Sequence, residues 1–211
     1  MPQAHHLIYT VHPIITAHAV FSCLQVFPMR LFVGLELPPT LLHAIGELRG
    51  GLPDVAWLPP ETYHLTLRFI GEVTHPHLLE EIHHALSAIR ATPPVLRLDG
   101  TGLFTPTRPN APDTLWVGCA PDDALLTLRE KVRKGLNRAI PAGGERNGRH
   151  FTPHVTIGRM ERPDQARRQR WLATTLPTTE ARTIGHFTLF QSIRHADGPF
   201  YEPLEHYPLH F

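Results

Sequence analysis

The sequence is informative first for what it lacks. Its 211 residues hold two cysteines, Cys23 and Cys119, with no CxxC pair and no framework spacing. That excludes a disulfide scaffold and a thiolate zinc site and fits a reducing compartment, so a cytoplasmic location is expected. No run of 18 apolar residues exists, which excludes a transmembrane helix of ordinary length. There is no GxSxG elbow for a serine nucleophile, no P-loop lysine motif and no GxGxxG dinucleotide fingerprint. Charge is scarce as well, at 18% of residues and +1 net. Residues 1–28 contain no Lys or Arg, yet carry His5, His6, His12 and His18. A secretory signal would need a basic start and an unbroken apolar stretch. These residues are expected to be an extension outside the fold, with Met29 as the natural start and a single bilobal domain over 29–211.

Histidine is what the chain has in quantity. With 16 His and 20 Thr, chance alone gives about one or two His-x-Thr triplets. Four occur, at His64, His150, His154 and His186. Demanding apolar residues at the second and fourth positions removes His150, which is followed at that place by Pro153. His64-Leu65-Thr66-Leu67, His154-Val155-Thr156-Ile157 and His186-Phe187-Thr188-Leu189 remain. On a strand, alternate side chains share a face, so each motif presents His and Thr together and buries its apolar pair.

An internal repeat separates the three. Residues 31–52 align without a gap on 115–136, an offset of 84, with eight of 22 positions identical. Leu31-Phe32-Val33-Gly34 falls on Leu115-Trp116-Val117-Gly118, and Leu41-Leu42 on Leu125-Leu126. Each copy reads as a strand followed by an amphipathic helix. One motif follows each copy, His64 and His154, which lie 90 apart; the six extra residues are assigned to the region of Pro141-Ala142-Gly143-Gly144. His186 has no such preamble and is read as a strand-surface residue.

Periodicity and breakers then give strands at 30–37, 63–70, 95–104, 114–119 and 154–159, with 183–193 as the last, and helices at 40–49, 75–90, 122–139 and 162–172. The tail 200–209 is read as aromatics packing back on the body. Arg68, four residues beyond His64, is expected on the same face as His64 and Thr66, where it could grip a phosphate. His75, His77, His83 and His84 do not converge at ligand spacing and read as surface histidines. Residues 129–170 hold 12 of the 20 basic residues against four acids, a local excess that would steer a polyanion.

Two imidazoles with no nucleophile suit direct attack of water on a phosphodiester. One neutral ring takes the water proton, a protonated ring gives a proton to the leaving oxygen, and Thr66 and Thr156 hold the non-bridging oxygens. An ordinary histidine pKa makes such a pair workable around pH 6–7. The repeat renders the two histidines nearly equivalent, so the spacing assigns neither role.

The paired motifs carry a family resemblance, together with Arg30-Leu31-Phe32-Val33, Leu67-Arg68-Phe69-Ile70-Gly71-Glu72, Leu115-Trp116-Val117-Gly118, Phe151-Thr152-Pro153-His154-Val155-Thr156 and Phe187-Thr188-Leu189-Phe190. From Met29 to about Leu209 the chain resembles the 2H phosphoesterase superfamily, and within it the RNA 2′,3′-cyclic phosphodiesterases, also named 2′-5′ RNA ligases. The resemblance implies a bilobal, pseudo-symmetric α+β fold, each lobe an antiparallel sheet with outer helices, and both motifs in a central cleft. It implies metal-independent hydrolysis of RNA-terminal or nucleoside 2′,3′-cyclic phosphates to 2′-phosphomonoesters, with no cofactor. It gives His64 the role of proton donor and His154 that of acceptor; the reading of the residues adds Thr66 and Thr156, with Arg68 as a further candidate, on the phosphate. No obligate protein partner is evident, and a monomer is expected. ATP-independent 2′-5′ ligation and non-catalytic RNA binding are the competing readings.

Overall fold

The computed structural model describes residues 28–108, 111–140, 151–161, 164–195 and 198–210. Except for Pro28, the expected extension at 1–28 lies outside them, as does the expected insertion at 141–144. Among the described residues the chain forms, in order, β1 (Met29–Glu36), α1 (Pro39–Gly46), β2 (Val55–Trp57), a 3-10 turn (Pro60–Thr62), β3 (His64–Val73) and α2 (Pro76–Ser87). There follow β4 (Val95–Leu96), β5 (Leu98–Phe104), β6 (Asp113–Cys119), α3 (Asp123–Ala139), β7 (His154–Met160) and α4 (Gln165–Leu172). The last three strands are β8 (Arg182–Thr183), β9 (His186–His195) and β10 (Gly198–Pro208).

The repeat is structural. β1 and β6 begin 84 residues apart, as do α1 and α3. β3 and β7 open on the two motif histidines. All neighbours in the main sheet, ordered β10-β9-β1-β3-β7-β6-β5 with β2 on β7, are antiparallel. The two lobes do not keep wholly separate sheets. They join where β3 meets β7, at the pair Leu65↔Val155. Leu31, Val33, Leu35, Leu65, Leu67, Leu115, Val117, Val155 and Ile157 all enter the core, against Leu79, Ile82 and Leu86 of α2 and Leu125, Leu128, Val132 and Leu136 of α3. Removing these chains from water is the main favourable term in folding. The helices cover one face of the sheet, and the other face is left for chemistry.

Several local expectations shift. The 40–49 helix ends early at Gly46, whereas its repeat partner runs on to Ala139, capped by the Asp122 carboxylate accepting from the Leu125 N–H at 3.1 Å. The 95–104 strand splits, and Val95-Leu96 pairs with β8 in a separate two-stranded sheet. The 183–193 strand is not the last. β10 pairs with β9 along its length although it contains Pro199, Pro203 and Pro208. It is the outer strand of the sheet, where a missing N–H costs no ladder bond. Much of the basic excess is spent within the protein. Arg133 bonds Glu130 at 2.7 Å, Arg168 bonds the buried Asp113 at 2.7 Å, and Lys131 reaches the Arg90 carbonyl at 2.6 Å. No helix among the described residues is long and apolar enough to cross a membrane.

Candidate active site

The junction of the lobes sets the geometry. In an antiparallel pair centred on Leu65↔Val155, His64 lies across from Thr156 and Thr66 across from His154. All four side chains rise from one face, and the diagonal between the two histidines is about 7–8 Å in ideal geometry. His154 is near enough that its charge opposes protonation of His64.

Each ring is held in the same way. His64 Nδ1 lies 2.7 Å from the Thr62 carbonyl oxygen, and His154 Nδ1 lies 2.7 Å from that of Thr152. A carbonyl accepts only, so both Nδ1 atoms carry the proton and donate it. Each neutral imidazole therefore turns an unprotonated Nε2 towards the open face. Thr62 is itself fixed, its Oγ1 donating to the Pro59 carbonyl at 2.7 Å. Burial lowers the pKa of His64 to about 4, with the charge of His154 adding to the fall and the Thr62 bond opposing it. Burial also lowers the pKa of His154. Burial thus disfavours the protonated form of both rings in the free protein, which moves the working range below that expected from an ordinary histidine.

Aromatic rings wall the two histidines. Phe32 lies 4.6 Å and Tyr201 4.8 Å from the His64 ring centroid, and Phe190 stacks on Phe32 at 4.9 Å. On the other side Phe104 meets the His154 ring edge-on at 4.9 Å, with Trp116 at 5.9 Å. Phe32 and Trp116 are equivalents in the 84-residue repeat. Gly102 leaves the indole its place, since a Cβ there would collide with Trp116.

The structure brings together His64, Thr66, His154 and Thr156, and it removes Arg68. The β1–β3 register steps from Gly34↔Thr66 to Val33↔Arg68, leaving Leu67 as an extra residue. This bulge breaks the alternation, turns Arg68 to the helix side and returns Phe69 to the cleft side. Arg68 is 1% exposed and its Nη1 donates to the Arg133 carbonyl of α3 at 3.1 Å. Phe69, 57% exposed, lies 6.1 Å from Phe32, ring to ring. β7 has the same bulge, from Trp116↔Thr156 to Leu115↔Gly158, and there Arg159 is the residue returned to the cleft side. Its charge, with that of Arg30, acts on the Tyr201 phenol, whose pKa is nevertheless raised by burial. Arg159, Phe69, Phe104 and Tyr201 were not singled out by sequence. The repeat offered a signal only for the first two, which occupy one equivalent position five residues past each histidine.

His186 of the third motif stands at the start of β9, its side chain 40% exposed. His186 and Thr188 lie on the same sheet face as His64, and His186 Nε2 is 3.1 Å from Glu36 Oε2. His77 pairs with Glu81 at 3.3 Å as an exposed helix residue, whereas His83 reaches the Tyr207 hydroxyl at 3.1 Å.

Known proteins resemble the chain over most of its length. An RNA 2′,3′-cyclic phosphodiesterase of Archaeoglobus fulgidus is 30% identical over 182 residues, covering 83% of this chain and 98% of that protein. One from Thermus thermophilus is 30% identical over 190 residues, covering 86% and 90%. LigT from E. coli, in its apo form, superposes with a TM-score of 0.70 at 24% identity, over 86% of this chain and 98% of that one. A family model described as the 2′-5′ RNA ligase superfamily matches residues 37–196. The chain belongs to the 2′-5′ RNA ligase superfamily.

Proposed function

We propose that this protein hydrolyses RNA-terminal or nucleoside 2′,3′-cyclic phosphates to 2′-phosphomonoesters, using His64 and His154 as an acid/base pair. Cyclic phosphate hydrolysis is the activity for which its curated relatives are named. The observation that carries the mechanism is the pair of identically held imidazoles, each locked at Nδ1 by a backbone carbonyl with Nε2 free on one shared face. Nε2 of His154 removes the proton of a water aligned opposite the P–O3′ bond. The water oxygen bonds to phosphorus, the P–O3′ bond breaks, and protonated His64 gives its proton to O3′. Thr66 and Thr156 donate to the non-bridging oxygens as charge gathers there.

The depressed pKa of His64 fits a donor. Once protonated it is a strong acid, and an anionic phosphate at its Nε2 favours the charged ring in the complex. Phe69 and Phe104 offer exposed faces for a base, and Arg159 offers a charge for the adjoining backbone. The protein acts as a monomer in a reducing, cytoplasmic setting, where burial keeps the Cys119 thiol protonated.

The test is turnover of a nucleoside 2′,3′-cyclic phosphate in EDTA, with wild type beside His64→Ala and His154→Ala. A 2′-phosphate product that both substitutions abolish supports the reading. A folded wild type without turnover on mononucleotide and RNA-terminal substrates contradicts it.

A further inference from the structure

From the row of side chains that continues past His64 across the outer strands, we infer that Glu36, His186 and His206 form a binding site for a borderline first-row divalent metal ion of the zinc class. The site is distinct from the hydrolytic pair. Glu36 ends β1, where it is the cross-strand partner of His64. The β1–β9 register, with Gly34↔Thr188, carries Glu36 alongside His186 at the start of β9. In β10, His206 is the partner of Thr188. The His186 and His206 rings meet edge-on with centroids 4.8 Å apart.

Three features together point to an ion. First, one carboxylate oxygen and two imidazole nitrogens lie within 4.8 Å of one another, the one such grouping found among the described residues. Second, the His206 ring is oriented from behind, its Nδ1 lying 3.0 Å from Oγ1 of the buried Thr188. That is the outer-shell hydrogen bond that metal-ligating histidines typically make. Third, Glu36 and His186 keep 40% of their side-chain surface, so an ion can enter and retain water. Two imidazoles and one carboxylate suit Zn²⁺, Co²⁺ or Ni²⁺ rather than the oxygen-seeking Mg²⁺ or Ca²⁺. Bonds of about 2.0–2.2 Å require the three donors to close on the ion, a small rotation for half-exposed side chains. The repeat supplies no second copy, since Ala120 stands 84 residues after Glu36. The site belongs to the His64 lobe alone, one strand away from the cleft.

The test is titration of the full chain with Co²⁺ alone, read by visible absorption, with Zn²⁺ competition. Because the chain is rich in histidine, substitutions locate the signal. Glu36→Gln, His186→Ala and His206→Ala are each expected to weaken Co²⁺ binding at least about tenfold, and Thr188→Val by less, with circular dichroism unchanged. The doubly substituted His83→Ala, His84→Ala chain is expected to bind as wild type. Absence of a Co²⁺ band up to millimolar metal would overturn the inference. So would binding that none of the three ligand substitutions weakens, since Glu36 and His186 would then be no more than a hydrogen-bonded pair.

Discussion

The two lobes hold their histidines with the same backbone and surround them with different side chains. In both, a histidine opens a strand, its Nδ1 is held 2.7 Å from the carbonyl two residues earlier, and a bulge follows the threonine. After the bulge the lobes diverge. At the first position, Arg68 fills the core side in one and Gly158 in the other; at the next, Phe69 meets solvent in one and Arg159 in the other. The repeated part is the part that aims an Nε2. The variable part is what a substrate would meet around it, an aromatic face on one side and a cation on the other. Backbone symmetry therefore presents two equivalently held imidazoles, the groups proposed to transfer protons, and their surroundings make them unequal.

The comparison breaks most sharply at the histidines. His64→Ala and His154→Ala should each lower kcat by about 10²–10⁴-fold, the range of a lost general acid or base, with little change in folding. Steady-state kinetics on a cyclic mononucleotide checks this, and a loss confined to one of them would make the symmetry decorative. Thr66→Val and Thr156→Val, which keep shape and remove the donor, should each cost about 10²-fold in kcat.

The residues past the threonines test the two core sides by stability. Arg68→Ala should destabilise by about 2–4 kcal/mol, through lost packing and a carbonyl of α3 left without this donor. Gly158→Ala should cost about 1–2 kcal/mol, because its Cβ would press on Val55 Cγ1 at 3.1 Å and the Ala56 carbonyl at 3.2 Å. Denaturant unfolding measures both. The smallest effect is in pH dependence. Both histidines have pKa values lowered by burial, so kcat/KM, which reports the free enzyme, should rise as pH falls from 8 and peak below 6.5. The same lowering means that the folded state takes up fewer protons than the unfolded chain. Stability should therefore be full above about 6.5 and decline as pH falls towards 4. A kcat/KM optimum above pH 7 would contradict the burial of the pair.

The lobes, both motif strands and their apolar faces were legible because they rest on period-two alternation and on the 84-residue repeat. The fate of Arg68 was not, since one extra residue in a strand reverses every later side chain and leaves no mark in composition. β10 was missed because three prolines speak against a strand, and only the sheet order shows that it lies at an edge. His186 looked like an unattached surface residue for a similar reason. Its partners Glu36 and His206 are 150 residues before it and 20 after it, joined only by strand pairing.

The central claim is that two symmetrically held histidines take opposite parts, His64 giving the proton and His154 taking it. It is tested most directly with a cyclic substrate in which sulfur replaces the bridging O3′. A thiolate leaves without protonation, so the loss caused by His64→Ala should shrink towards unity while that caused by His154→Ala persists. Rescue of His154→Ala instead, or undiminished losses in both, would contradict the assignment.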